Sequence, residues 1–188
     1  MNPTLSIPAQ ESYSRSQALI RALFGWLLAI PYYLYLVVLT YAAYFAAWIL
    51  WWVGIFTGSY QPELRAFIIS VLRLKIRGSA YILGLKDGYP SFSIDDEAGV
   101  LVTLPEQEFS RGKAIFMALF GWITLVIWSI FIGVFALVAY LMTWINFWFV
   151  VVTGKAQPGM YKVIEKALEY QLRLDLYMHG VYQNFFQI

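Results

Sequence analysis

Two long stretches without a single charged residue constrain this chain more than any other feature. Between Arg21 and Glu63 lie 41 consecutive uncharged residues, and between Lys113 and Lys155 another 41. All 24 Asp, Glu, Lys and Arg side chains therefore fall in the remaining 106 residues. An ordinary soluble domain is about a quarter charged; here the charged share is 13% and the hydrophobic share 61%. Composition thus excludes a disordered chain and points to an integral membrane protein. The absence of cysteine excludes disulfides, thiolate catalysis and Cys-ligated metals. A net charge of +2 is too small to suggest a nucleic-acid partner. The polar first 16 residues do not read as a cleavable signal peptide.

The two runs belong to an internal repeat. Sliding the sequence by 96 positions aligns residues 14–92 with 110–188 without a gap, and 23 of the 79 pairs are identical. Ser14, Arg15 and the block Ala22, Leu23, Phe24, Gly25, Trp26 match Ser110, Arg111 and Ala118, Leu119, Phe120, Gly121, Trp122. Thr57, Gly58, Gln61 and Pro62 match Thr153, Gly154, Gln157 and Pro158. The chain reads as a tandem duplication, with units at 1–96 and 97–188.

Each unit carries the same succession of signals. A short β-branched segment, at residues 4–7 and 100–104, predicts a strand. The apolar run follows, at 19–57 and 114–153, and ends at a Thr-Gly pair where glycine stops the helix. Pro62 and Pro158 open a second helix, as proline at the first helical position does. These second helices are expected over 62–85 and 158–182, with apolar residues at three-and-four spacing. In the first, Arg65, Arg73, Lys75 and Arg77 decorate the remaining face, as in a basic amphipathic helix that grips lipid headgroups. Asp95, Asp96, Glu97, Ala98 and Gly99, flanked by apolar segments, predict a β-hairpin that joins residues 4–7 in a small extramembrane sheet. The expected fold is thus an all-α membrane protein with a small β element.

A 41-residue helix spans about 60 Å, twice a hydrocarbon core of about 30 Å. Two arrangements compete: a helical hairpin in each run, or one long tilted crossing kinked at Pro31. The hairpin keeps all 13 Lys and Arg on the cytoplasmic side, in keeping with the positive-inside rule, and is the favoured arrangement. Against it, residues 36–42 hold no turn former, and Trp26 and Trp51 are spaced like belts at the two interfaces of one crossing.

Candidate chemistry is sparse. Asn146 is the only amide deep in either run, and an interhelical hydrogen bond is its expected role. His179, the only histidine, has no ligand or nucleophile motif around it. The corners Thr57, Gly58, Pro62 and Thr153, Gly154, Pro158 are sufficiently explained as helix stop, turn and helix start. No Asp, Glu, Lys, Arg or His lies within the runs, and no nucleotide-binding, zinc-protease or nucleophile-elbow motif occurs. No catalytic residue, cofactor or metal is expected.

Phe56, Thr57, Gly58 and Tyr60, then Leu72 and Arg73, Ala80 and Tyr81, and Tyr89, Pro90, Phe92, Ser93 and Ile94 carry a resemblance. They are similar to the repeating pattern of a bacterial membrane-protein family of unknown function. The second copy departs from it at Ala156 and in its last five residues, 184–188. The resemblance implies a bacterial cytoplasmic-membrane location and brings no activity with it. The leading expectation is a non-catalytic membrane subunit that stabilises or recruits a larger integral complex. The alternatives are a lipid- or ion-conducting homo-oligomer with a pore lined by Asn146, Ser129, Thr124 and Thr143, and a membrane-shaping hairpin protein.

Overall fold

The computed structural model describes residues 2–94 and 99–184. Its elements are β1 (Thr4–Ser6), α1 (Arg15–Thr57), α2 (Pro62–Ile82), β2 (Leu101–Thr103), α3 (Arg111–Thr153) and α4 (Pro158–Met178). The two halves carry corresponding helices of 43 and 21 residues, 96 positions apart.

Each apolar run forms one unbroken helix, which overturns the expected hairpin. The reason is local. Nothing in the middle of either run reverses the chain, and Pro31 sits inside α1 on its exposed side without ending it. Ser14 and Ser110 start the long helices by accepting from Gln17 N–H and Lys113 N–H. Gly58 and Gly154 end them in the left-handed region at φ 77° and 74°, each donating back to the carbonyl four residues earlier. Gln61 and Gln157 then cap α2 and α4, each accepting at 2.6 Å from the N–H three residues on. Both shorter helices stop some residues before the expected ends at 85 and 182.

The four helices form a box. α1 packs on α2, α3 on α4, α1 on α3, and α2 on α4. Tyr13 N–H, just before α1, donates to Gly154 O at the end of α3 (3.0 Å). At the far end Arg111 Nη2, at the start of α3, donates to Phe56 O (3.0 Å). The long helices therefore run antiparallel, the start of each beside the end of the other. Their middle residues, Leu36 and Ile132, are both only 4% exposed.

β1 and β2 pair antiparallel, with Leu5 opposite Val102. The hairpin expected around residues 95–99 does not form as drawn: residues 91–94 are not strand, and residues 95–98 lie outside the described set. Instead Phe92 packs on the rings of Tyr32 and Tyr35 (centroids 5.3 and 5.4 Å). The sheet rests on α4, where Tyr161 Oη donates to Ile7 O (2.8 Å) and Arg173 Nε to Pro3 O (2.9 Å). Three layers result: the long helices, then α2 with α4, then the small sheet. The main core runs between them through Leu50, Ile68, Ile76, Ile164, Leu172 and Val100.

Candidate functional site

The duplicated motifs meet each other across the two halves. Thr57 and Thr153 turn their hydroxyls back to the carbonyls of Val53 and Phe149 (2.8 Å each). Each hydroxyl also accepts from the N–H of Ser59 or Lys155. Against each corner lies the other half's duplicated arginine. Arg111 fills the space beside Gly58, and Arg15 that beside Gly154. A guanidinium at the C-terminal end of a helix offsets the partial negative charge there. The Ser-Arg and Thr-Gly identities thus describe one reciprocal clasp at each end of the molecule.

The basic residues of α2 do not stand together as an exposed cluster. Arg65 lies over the Tyr60 ring at 4.7 Å. Lys75 Nζ pairs with Asp175 Oδ2 on α4 at 2.8 Å. Arg77, 7% exposed, donates to the carbonyls of Ser91 and Ser93 (3.2 and 3.0 Å). Arg73 is half-buried.

Asn146 is fully buried, and its Oδ1 accepts from Gln157 N–H at 3.0 Å. It therefore makes an interhelical bond, running from α3 to the cap of α4. Thr143 is also buried, Thr124 half-buried, and Ser129 exposed with its hydroxyl on the carbonyls of Leu125 and Val126. Thr143 and Asn146 are thus enclosed within the protein, while Ser129 faces outward. His179 is buried, stacked on Tyr44 (centroids 4.6 Å, planes 13° apart), with Nδ1 2.7 Å from Asp175 O. Burial lowers its pKa below the ordinary 6.5, with Lys75 adding to the effect and Asp175 opposing it.

Sequence reasoning missed the most buried ionic site. Arg21 reads as the flank of an apolar run, yet it is 4% exposed. It donates to Tyr81 O (3.0 Å) and Lys86 O and pairs with Asp87. Asp87 Oδ2 in turn accepts from Ser14 N–H. The repeat alignment contains the signal: positions 21 and 87 correspond to Met117 and Gln183, a coupled exchange of a charged pair for an uncharged one. Gln183 Oε1 keeps the other bond, accepting from Ser110 N–H at 2.8 Å.

No group of three or more His, Cys, Asp or Glu that suits a metal occurs among the described residues. A cavity of about 290 Å³ opens where the four helices converge, lined by Tyr33, Lys75, Ser79, Ile132, Ala136 and Gln171 among others. The dominant surface feature is apolar. Along α1, large exposed apolar side chains run from Leu19 to Phe56, and along α3 from Ile115 to Val152. Trp26, Trp48, Trp122 and Trp144 are each about half exposed or more. Both helices are long and apolar enough to cross a membrane. No family model, curated protein or solved structure matches the chain.

Proposed function

We propose that this is a non-catalytic, membrane-embedded subunit, built by tandem duplication, whose aromatic-rich long helices pack against other components of a larger membrane complex. One observation carries the reading: the unbroken apolar surface of α1 and α3, far larger than the few hundred Å² that soluble monomers usually expose. The described residues that would serve catalysis are occupied otherwise. Arg21 and Asp87 hold a loop, Lys75 and Asp175 join two helices, and His179 is sealed under Tyr44. The resemblance noted in the sequence favours a bacterial inner membrane. Purification in a mild detergent should bring down integral membrane partners in stoichiometric amount. A clean monomer in several detergents would overturn the proposal.

A second reading, that the protein shapes membranes, draws on the layering. The apolar helices occupy one side of the box, and the sheet and the charged helices the other. The pore reading gains nothing from the scattered placement of Thr124, Ser129, Thr143 and Asn146.

A further inference from the structure

We infer that α1 and α3 lie flat in one leaflet, side by side in the membrane plane, with α2, α4 and the sheet above them on a single side. This rests on the membrane reading above and specifies how that surface is seated. Neither arrangement weighed from the sequence, hairpin or crossing, fits the assembled molecule as well.

Length is the first argument. From Leu19 to Phe56 the exposed apolar side chains cover about 55 Å of helix. Placing all of them in a hydrocarbon core about 30 Å thick requires a tilt of roughly 57° from the membrane normal. Spanning helices usually tilt by about 20°, and rarely beyond about 40°. Lying flat, the same stripe meets lipid along its whole length.

The position of the charges is the second argument. The long helices are antiparallel, so their middles coincide, at Leu36 and Ile132. Lys75 lines the same cavity as Tyr33 and Ile132, and it pairs there with Asp175. The Arg173–Glu169 pair lies within two turns of Asp175 on α4. A crossing molecule would carry these charges at the bilayer midplane, where each costs about 2.5–3.5 kcal/mol on insertion scales. In the flat arrangement they stand above the interface, one helix layer away from the lipid.

The third argument is the order of the layers. The sheet touches α4, α4 and α2 touch the long helices, and among the described residues no element covers the outer stripes of α1 and α3. Exposed tryptophans lie toward the two ends of each stripe, Trp26, Trp48 and Trp52 on α1 and Trp122, Trp144 and Trp148 on α3. Arg15, Arg111, Lys113 and Lys155 are exposed at the two ends of the slab, where anionic headgroups would add about 1 kcal/mol for each. The acyl layer of one leaflet therefore covers the underside of the apolar face, and membrane partners of the proposed complex meet the flanks of α1 and α3 within that leaflet.

Because the chain has no cysteine, single-cysteine variants report without background. Flotation with phosphatidylethanolamine–phosphatidylglycerol vesicles comes first; a protein that stays at the bottom overturns the membrane reading itself. For the bound protein, Ser59→Cys and Lys155→Cys mark opposite ends of the long helices. An impermeant maleimide should reach both from the same side of a sealed membrane. Nitroxides at Val38→Cys, Val134→Cys and Val152→Cys should report one shared depth, about 5–10 Å below the headgroup boundary. Labelling of the two ends from opposite sides, with Val38 and Val134 about 15 Å deeper than Val152, would establish a crossing and overturn the inference. Lipid-independent contact between Val38 labels of two copies would overturn it too, assigning the face to a second copy of the chain.

Discussion

Arg21 shows how much a single buried side chain decides. Its guanidinium crosses from the apolar helix to hold the chain after α2, and Asp87 supplies its countercharge. Removing one partner of a buried pair leaves an uncompensated charge and costs about 3–5 kcal/mol. Asp87→Asn should therefore lower the melting temperature of the detergent-solubilised protein sharply. The double variant Arg21→Met with Asp87→Gln, which installs the pair found at positions 117 and 183, should recover most of the loss. A double variant as unstable as the single one would show that Arg21 is needed for its carbonyl contacts, not for charge balance. His179 makes a second residue-level prediction. Its pKa is depressed in the folded protein, so below about 6.5 the unfolded chain binds a proton that the folded one does not. Stability falls as the pH drops from that value toward the folded pKa and then levels off. Melting curves at pH 7.5 and 5.5 should show less acid sensitivity in His179→Leu, which copies Leu83, its counterpart in the first half. Equal sensitivity would rule His179 out as the source.

At the scale of elements, the ends of the helices were legible and their path was not. Thr-Gly and Gln-Pro specify stop, turn and start through local chemistry, and the structure places all four helices at those marks. The strand at residues 4–7 was legible for the same reason. The partner of β1 was half legible: residues 101–103 pair with it, while residues 91–94 are drawn away by Phe92 finding Tyr32 and Tyr35. The hairpin failed because the Lys and Arg count was set above local chemistry: residues 36–42 hold no turn former, and the helix runs unbroken through them. The corner clasp was invisible because its partners lie 55 residues apart at Arg111 and Phe56 and 139 apart at Arg15 and Gly154, and periodicity reports only on near neighbours. It also makes an element-level prediction. Arg15→Ala and Arg111→Ala should each destabilise by about 0.5–1 kcal/mol through loss of a charge at a helix C-terminus. The ends are about 60 Å apart, so the two losses should add within about 0.5 kcal/mol in equilibrium unfolding. A marked departure from additivity would mean that the two ends communicate.

The molecule as a whole is held by exchanges between its halves: the start of each long helix closes on the end of the other. Residues 1–96 produced alone should fail to yield a stable monomer, because Gly58 and Phe56 would lack Arg111 and the outer turns of α1 would lack α3. Co-produced halves should associate and co-purify; a half that melts cooperatively as a monomer would contradict this. The same interlocking bears on how the protein is made. When Arg15 is added to the growing chain, the corner it clasps, at Gly154, is still 139 residues from being synthesised. At translation rates of about 5–20 residues per second, the first apolar helix waits roughly 7–28 s for its partner. Until α3 is made, the face of α1 that closes on it has no partner within the chain. The nascent chain therefore depends on a targeting factor or an early encounter with lipid, and crowding it away from both should show first as aggregation of unfinished chains.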